Sequence, residues 1–308
     1  MTKNILITGG AGNVGSSLAK KLAENSEYKI YVFDNLVTGS LLKIPNSSNV
    51  EFIKGDVNNF DEIYSLMNKI SFDFVFHYAA LVGVKRTIEN PLLVLKDIEG
   101  IRNILDLSVK NRVKRIFYSS SSEVYGEPVE SPQREETTPL NARLPYAIVK
   151  NVGEAYLKSY YKEYGLEFGI FRFFNTYGPN QSNDFVVSKF IDLALKNLDI
   201  TIYGDGKQTR TFCYIDDNID TIIKIMEEKL FLNSIVNIGS DNEISVLDLA
   251  KLTIKLLKSN SKIIYMDPLK EGDMTRRRPD ISKMKSILNR NLVSLEHGIV
   301  SIANFRNK

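Results

Sequence analysis

Short apolar runs alternate with amphipathic segments through the first 175 residues of the chain. The runs have the length of buried strands, and the segments between them repeat apolar residues at helical spacing. Strands are predicted at Asn4–Thr8, Tyr28–Phe33, Val50–Lys54, Asp73–His77, Lys114–Ser119 and Glu167–Phe173. Helices are predicted at Val14–Leu22, Asp61–Ile70, Pro91–Lys110 and Tyr146–Tyr164. This alternation predicts an α/β fold whose parallel, doubly wound sheet has right-handed crossovers.

The pattern loosens after Asn175. Helices are predicted there at Asp184–Asn197, Asp217–Glu228, Ser245–Leu257, Ile281–Leu288 and Ser294–Phe305, with short strands at Ile200–Tyr203 and Ile235–Ile238. This mixture predicts a smaller C-terminal α/β lobe after the sheet domain. The predicted boundaries are 1–175 for the sheet domain, with a segment near 205–240 returning to it, and 176–308 for the lobe.

Composition is that of an ordinary globular protein. With 308 residues, of which 43% are hydrophobic and 25% charged, the chain can bury an ample core. It has 40 Lys and Arg against 37 Asp and Glu, a formal charge of +3. This balance gives no indication of binding to nucleic acid or to a membrane surface.

Cysteine and histidine are scarce. Cys213 is the only cysteine, so no intrachain disulfide can form and a reducing compartment is expected. His77 and His297 are too few and too far apart in sequence to indicate a histidine-rich metal site, and no metal is expected. The start does not resemble a signal peptide, and no apolar run approaches the roughly 18 residues that span a bilayer. We expect a soluble cytoplasmic protein.

A glycine turn follows the first predicted strand. Gly9, Gly12 and Gly15 are spaced three apart and open the first predicted helix. Glycines allow a tight turn and close approach to a pyrophosphate, whose charge then faces the helix start. Asp34 ends the next strand, about 20 residues on, where a carboxylate can bind the ribose hydroxyls. The two features together predict a Rossmann domain that binds a dinucleotide, and Asp34 favours NAD because it would repel the 2′-phosphate of NADP.

Further motifs follow in order along the chain. They are Thr8-Gly-Gly-Ala-Gly-Asn-Val-Gly15, Asp34-Asn35, Gly55-Asp56-Val57, His77-Tyr-Ala-Ala80, Tyr118-Ser-Ser-Ser-Ser-Glu-Val-Tyr-Gly126, Tyr146-x-x-x-Lys150, Arg172-Phe-Phe-Asn-Thr-Tyr-Gly-Pro179, Tyr203-Gly-Asp-Gly-Lys-Gln-Thr-Arg210 and Arg276-Arg-Arg-Pro-Asp280. In this order and spacing the chain resembles the extended short-chain dehydrogenase/reductases of the NAD-dependent nucleotide-sugar epimerase/dehydratase family. The resemblance runs nearly end to end.

The resemblance implies which residues hold NAD. Within the glycine turn they are Gly9, Gly12, Asn13, Val14 and Gly15. Elsewhere they are Asp34, Asn35, Asp56, Val57, Ala79, Ala80, Ser119, Tyr146, Lys150 and Phe173. Asp56 is a plausible adenine contact, although an ordinary turn aspartate would occupy the same position.

Tyr146 and Lys150 are spaced four apart and share a helix face. A tyrosine has a pKa of about 10, and lowering it to about 7 means stabilising the phenolate by roughly 4 kcal/mol. The Lys150 ammonium could supply part of this, together with the charge of oxidised nicotinamide. By resemblance, Ser121 passes a proton between sugar and Tyr146. The implied step is oxidation of a sugar hydroxyl, most often at carbon 4, by NAD that stays bound.

The fate of the oxidised sugar depends on other residues, Ser122 and Glu123 first among them. A dehydratase of the family carries an Asp-Glu pair here, so Ser122 argues against that reaction. The Ser-Glu pair and Arg277 resemble the nucleotide-sugar decarboxylases. The stretch 79–91 and the segment Lys270-Glu-Gly-Asp273 resemble the UDP-hexose 4-epimerases. Epimerase leads narrowly over UDP-glucuronate decarboxylase; a net dehydrogenase and a non-catalytic NAD-binding sensor remain alternatives.

The smaller lobe is expected to bind the nucleotide-diphosphate sugar. Arg210 and Arg277 are the candidate phosphate ligands because a guanidinium matches phosphate geometry. Asn175 matches the family's substrate-binding asparagine. The resemblance also implies a homodimer formed through the helices Pro91–Lys110 and Tyr146–Tyr164.

Overall fold

The computed structural model describes residues 2–127, 129–268 and 277–307. The strands are β1 (Lys3–Thr8), β2 (Tyr28–Asp34), β3 (Val50–Lys54), β4 (Phe74–His77), β5 (Arg115–Ser121), β6 (Glu167–Phe173), β7 (Thr176–Tyr177), β8 (Ile200–Tyr203), β9 (Thr209–Thr211), β10 (Cys213–Tyr214), β11 (Ser234–Ile238), β12 (Glu243–Ser245) and β13 (Ile263–Met266).

The helices alternate with these strands through the first half of the chain. They are α1 (Asn13–Leu22), α2 (Phe60–Lys69), α3 (Val84–Glu89), α4 (Pro91–Leu95), α5 (Asp97–Lys110), α6 (Pro145–Tyr164), α7 (Val186–Leu195), α8 (Ile215–Glu227), α9 (Val246–Leu257), α10 (Ser282–Leu288) and α11 (Leu295–Arg306). Short 3-10 helices lie at Leu41–Lys43 and Ser122–Tyr125.

A central sheet of seven strands has the order β11-β6-β5-β4-β1-β2-β3. Strand β1 pairs in parallel with β2 on one side and with β4 on the other. The pairs β2–β3 and β4–β5 are also parallel. The chain therefore reverses its direction of winding beside β1, which opens a crevice at the carboxyl ends of β1 and β4. The predicted doubly wound α/β fold is confirmed.

Local sequence explains where several helices begin and end. Helix α2 begins after Asn59, whose side chain accepts a hydrogen bond from the Asp61 amide at 3.2 Å. Helix α6 has Pro145 in its first turn, where a missing N–H costs nothing, and ends at Gly165 with φ +71°. These signals set the bounds of α6 within one residue of the prediction.

The core of the sheet region is formed by apolar side chains from both the strands and the helices. Leu6, Val75 and Ile116 on neighbouring strands are buried together with Ile104 of α5 and Leu157 of α6. Burial of such side chains stabilises the fold by about 1.5–3 kcal/mol each. Helices α5 and α6 are thereby fixed against the strands whose ends carry the candidate site.

The predicted helix Pro91–Lys110 is wrong in one detail, since the structure divides it into α4 and α5. At the division, the Glu99 amide donates to the Lys96 carbonyl three residues back at 2.9 Å. This bond tightens the turn, so Asp97 begins a new helix instead of continuing the first.

The chain divides into two compact units. The first comprises Met1–Val124, Ala142–Arg172 and Ile222–Val236, and the second comprises Tyr125–Asn141, Phe173–Thr221 and Asn237–Lys308. The described part of the second unit contains three small two-stranded sheets, β7–β10, β8–β13 and β9–β12. Among the described helices, none is both long enough and apolar enough to cross a membrane.

Candidate functional site

The turn between β1 and α1 has room for backbone only. Gly9 has φ +67°, and a Cβ there would lie 2.6 Å from the Ala79 nitrogen. A Cβ at Gly15 would lie 2.5 Å from the Gly9 carbonyl oxygen. Neither distance is tolerated by real side chains, so glycine is required at both positions. Helix α1 has no side-chain cap and no acidic residue in its first turn, which leaves its N–H groups available to an anion.

Asp34 ends β2 and holds the glycine turn in place. One of its carboxylate oxygens accepts from the Ala11 amide at 3.0 Å, and the other accepts from the Leu36 amide at 2.7 Å. Each carboxylate oxygen retains a further acceptor position. The side-chain amide of Asn35, the next residue, donates to Asp56 Oδ2 at 3.2 Å, so the ends of β2 and β3 are joined.

The ends of β1 and β4 are tied together by Thr8 and His77. The Thr8 hydroxyl lies 2.9 Å from His77 Nδ1 and accepts from the Ala79 amide at 3.3 Å. Burial, followed by the charge of Lys150, lowers the pKa of His77 to about 3, so the ring is neutral at physiological pH. His77 therefore positions the strand end that carries Ala79 and Ala80.

The residue after Asp56 is also held in place. The backbone carbonyl of Val57 accepts from the Asn103 side chain at 2.9 Å.

Tyr146 and Lys150 share one face of α6, as their spacing predicts. The ammonium of Lys150 lies 5.6 Å from the ring centroid of Tyr146 and 5.1 Å from that of Tyr118 on β5. It also lies 3.4 Å from the Ser119 hydroxyl. The Lys150 side chain is buried, and burial lowers its pKa to about 8. A buried ammonium beside a tyrosine ring can stabilise a phenolate there.

The serines at the end of β5 have different partners. Ser121 accepts from the Glu123 amide at 3.2 Å, while Ser120 donates to Glu154 at 2.6 Å. Ser122 is buried, and Glu123 is half-buried in the 3-10 turn. The predicted roles of Ser121, Ser122 and Glu123 stay predictions, although their place at the carboxyl end of a central strand suits a reacting group.

The second unit holds the residues predicted to bind substrate. Asn175 follows β6, has φ +28°, and donates through its amide to the Thr211 carbonyl at 3.0 Å. Arg210 lies on β9 and donates to the Thr209 carbonyl at 2.8 Å. Arg277 is buried, and Phe173, at the end of β6, is half-buried. Arg276 and the segment 270–273 lie outside the described residues.

The described residues form no metal centre: within 2–127, 129–268 and 277–307, no three His, Cys, Asp or Glu side chains group in a way that could hold a metal ion. Cys213 is buried, and its thiol donates to the Asn218 side chain at 2.7 Å.

Comparison with known proteins identifies the family. Residues 5–239 match the model of the NAD dependent epimerase/dehydratase family. The chain belongs to this family. It is 37% identical to a protein named putative UDP-glucose 4-epimerase from Methanocaldococcus jannaschii, covering 98% of this chain and 97% of that one. It is also 37% identical to UDP-glucuronic acid decarboxylase 3 from Arabidopsis thaliana, over 92% of this chain and 83% of that one.

A solved structure of a family member is similar throughout. The UDP-glucose 4-epimerase of Thermotoga maritima, with UDP-glucose, superposes with a TM-score of 0.93 and 32% identity, covering 99% of this chain and 98% of that one. The predicted family is confirmed, and so is its cofactor, NAD. The glycine turn and Asp34 fit that cofactor. So does Asn13, whose buried side-chain oxygen has no hydrogen-bond partner among the described residues.

Three further residues near the candidate site were not predicted. Glu154 of α6 forms a fully buried ion pair with Arg172 of β6, at 2.7 Å between Oε2 and Nη2. The spacing of Tyr146, Lys150 and Glu154, four apart each time, could have placed Glu154 on the same helix face as Tyr146 and Lys150. Asp97, at the start of α5, accepts from the amide of Leu81, which follows Ala79 and Ala80, at 2.8 Å, and it has no comparable sequence signal.

Proposed function

We propose that this chain is an NAD-dependent nucleotide-sugar 4-epimerase of the UDP-hexose type. The observation that carries the proposal is the buried Lys150 ammonium over the Tyr146 ring, beside the strand that ends at Ser121. This arrangement supports proton removal from a sugar hydroxyl, which is the step common to the family's reactions.

Each residue has a distinct role in the proposed reaction. Tyr146, as phenolate, takes the proton of the carbon-4 hydroxyl, and the Lys150 ammonium stabilises that phenolate. The hydroxyl of Ser121 hydrogen-bonds to the carbon-4 hydroxyl of the sugar and passes its proton to Tyr146. NAD, when bound, accepts the hydride of carbon 4 and gives it back. Among the described residues, the ammonium of Lys150 donates one hydrogen bond, to Ser119, so its two other donors can bind the nicotinamide ribose.

The remaining steps belong to the sugar and its binding groups. An epimerase must allow the 4-keto sugar to present its opposite face before the keto group is reduced. Asn175, Arg210 and Arg277 are proposed to hold the nucleotide while the sugar turns. The proposal of an epimerase is supported by the similarity of this chain to the proteins named as epimerases from M. jannaschii and T. maritima, over nearly their whole lengths.

A UDP-glucuronate decarboxylase is the second candidate. Ser122, which is buried, and Glu123 support it, because this Ser-Glu pair resembles the family's decarboxylases. The chemistry is also consistent, since a ketone at carbon 4 is β to a carbon-6 carboxylate and favours loss of that carboxylate as carbon dioxide. The similarity to the A. thaliana decarboxylase supports it as well.

A substrate panel distinguishes these reactions. The purified chain is incubated with UDP-, GDP- and dTDP-sugars, including UDP-glucuronate, and products are followed by NMR. Inversion at carbon 4 of a UDP-hexose supports the epimerase. Release of carbon dioxide from UDP-glucuronate would replace it with the decarboxylase. Net NADH release would indicate a dehydrogenase.

Substitution of Tyr146 tests catalysis against a non-catalytic sensor. Tyr146→Phe should lower turnover at least a hundredfold, in the range typical of a lost general base. Tyr265→Phe, at an exposed position on β13 and outside the helices proposed to form a dimer, is the control and should turn over normally. Equal turnover of Tyr146→Phe and the control would contradict the proposed mechanism.

We also infer a homodimer formed through α4, α5 and α6. Leu92 and Leu93 of α4 and Tyr161 and Tyr164 of α6 are exposed in the single chain, which supports a partner for this surface. Leu92→Glu should shift the mass measured by light scattering from dimer to monomer.

A further inference from the structure

Asn237 lies near the end of β11 and is completely buried. Its side-chain nitrogen donates to the carbonyl of Gln133 at 3.0 Å and to the carbonyl of Asp280 at 3.2 Å. Its side-chain oxygen accepts from the Tyr125 hydroxyl at 2.8 Å. The two carbonyls require the nitrogen on their side, so the amide has one orientation. Asn237 therefore connects β11 with residues from other parts of the chain.

The segment 277–280 is paired with the backbone of Gln133. The Gln133 amide donates to the Arg278 carbonyl at 2.8 Å, and the Asp280 amide donates to the Gln133 carbonyl at 2.7 Å. These two bonds form one parallel bridge. Asn237 donates to a carbonyl on each side of this bridge, so its side chain holds the two paired backbones together.

The backbone of β11 and the residues after it add two further contacts. The Asn237 amide donates to Glu135 Oε1 at 2.8 Å, which connects β11 with the chain that follows Gln133. A Cβ at Gly239 would lie 2.8 Å from Pro279 Cγ, so the backbone there packs closely on the segment 277–280. A carbonyl removed from water is destabilised when it loses its donor, so these contacts favour a single placement of that segment.

Arg277 begins the segment and is the candidate ligand of the substrate diphosphate. It is only 7% exposed, so its guanidinium can reach a ligand in few directions. A guanidinium binds two phosphate oxygens at once only when its fork is aligned with them. The placement of the backbone of Arg277 therefore matters for this contact.

We propose that Asn237 is a positioning residue that fixes the backbone of the segment 277–280 and thereby orients Arg277 toward the diphosphate of the substrate. Asn237 is fully buried and does not touch the substrate in this role. The inference rests on the proposed function, in which Arg277 holds the nucleotide.

Affinities for UDP and for uridine separate this role from a general effect on folding. Both ligands carry the base and the ribose, but only UDP offers a diphosphate to Arg277. With the full chain and NAD, UDP binding is measured by calorimetry and uridine binding by NMR titration. Arg277→Met should weaken UDP binding by roughly tenfold and leave uridine binding unchanged. Asn237→Ser, whose shorter side chain cannot reach both carbonyls, should also weaken UDP binding and leave uridine binding unchanged.

A control variant and a double variant complete this experiment. Tyr125→Phe removes the hydroxyl that donates to Asn237 but keeps both amide donors, so it should bind both ligands as the wild type does. The double variant Asn237→Ser, Arg277→Met should bind UDP no more weakly than Arg277→Met alone, because Asn237 acts through Arg277. A further loss in the double variant would overturn the proposal. So would an equal loss of UDP and uridine affinity in Asn237→Ser.

Hydrogen exchange tests the same connection without a variant of Asn237. In the wild type, UDP should slow exchange at the amides of Gln133 and Asp280, because binding through Arg277 stabilises the bridge that these amides form. In Arg277→Met this effect of UDP should disappear. Exchange that UDP leaves unchanged at both amides of the wild type would contradict the coupling, even if Asn237→Ser does not fold.

The outcomes distinguish failure of this inference from failure of the proposed function. If Arg277→Met loses UDP affinity and Asn237→Ser does not, only the role of Asn237 is refuted. If Arg277→Met binds UDP as the wild type does, the proposed nucleotide site and the role of Asn237 are both refuted. A chain that shows the expected losses but turns over no nucleotide sugar would support the role of Asn237 and refute the proposed reaction alone.

Discussion

Tyr118 occupies the space that a side chain at residue 153 would need. A Cβ built at Gly153 would lie 2.3 Å from the Tyr118 hydroxyl oxygen and 2.4 Å from Cζ of its ring. That hydroxyl is buried without a hydrogen-bond partner among the described residues. The missing side chain lets α6 lie close against β5 at this point, one turn beyond Lys150. The fit of Tyr118 against Gly153 therefore helps to set where the Lys150 ammonium lies.

Gly153→Ala should accordingly destabilise the protein by about 1–3 kcal/mol through overpacking. In a Tyr118→Leu background the ring is gone, and the same change should stabilise by up to about 1 kcal/mol, since alanine is the better helix former. Urea unfolding of the four proteins of this cycle measures the difference. A Gly153→Ala effect of the same sign in both backgrounds would show that Tyr118 does not restrict residue 153.

Lys150 should also leave a pH signature in stability. Its pKa is about 8 in the folded protein against an ordinary value of 10.5, so the unfolded chain binds more protons between these values. The contribution of Lys150 to the free energy of unfolding should therefore increase by about 3 kcal/mol in total as the pH rises from about 8 to 10.5. Below about pH 8 both states are protonated and the contribution is constant.

Lys150→Met isolates that contribution, because the other titrating groups are the same in both proteins. Urea unfolding is measured for the two proteins at matched NAD content across pH 7–10. The unfolding free energy of the wild type minus that of Lys150→Met should be constant from pH 7 to about 8. It should then increase with pH. Parallel curves over the whole range would mean that Lys150 titrates as an exposed lysine does.

The parts of the fold and site that were predictable have local causes. The dinucleotide site at Gly9–Gly15 and Asp34 is predicted from one strand, the turn that follows it and the end of the next strand. Tyr146 and Lys150 are read from a spacing of four on one helix. In each case the residues that act together lie within a few residues of each other or occupy a standard position in a strand-helix unit.

The unpredicted parts depend on contacts between distant segments. Glu154 and Arg172 lie on different elements, so no spacing along the chain indicates that they form an ion pair. The pair forms because the fold brings α6 and β6 together. The short strands of the second unit, such as Thr176–Tyr177, have too few residues for a periodic pattern to predict them.

The ion pair between Glu154 and Arg172 predicts a large loss of stability when one partner is removed. Glu154 accepts from Arg172 Nε at 2.9 Å and Nη2 at 2.7 Å, and from Ser120 at 2.6 Å. Glu154→Gln leaves the buried guanidinium without its charge partner and should cost about 3–5 kcal/mol. The double variant Glu154→Gln, Arg172→Met should cost less than the single variant, because no unpaired buried charge remains. Thermal unfolding of both tests this; equal losses would assign the effect to packing.

Asp34 should strengthen NAD binding in two ways, by holding the backbone of Ala11 and Leu36 in place and by hydrogen bonding to the ribose hydroxyls. Its two oxygens accept from the Ala11 and Leu36 amides, so Asp34→Asn, with one acceptor oxygen, leaves one amide unpaired. A lost hydrogen bond to a charged group amounts to about 1.5–3 kcal/mol, so NAD affinity should fall by roughly ten- to a hundredfold. Binding by calorimetry checks this, with Asp61→Asn, a surface carboxylate of α2, as the control. Because the variant also removes the charge that repels a 2′-phosphate, its preference for NAD over NADP should narrow. Unchanged NAD affinity together with unchanged preference would contradict the assignment of Asp34 to the ribose.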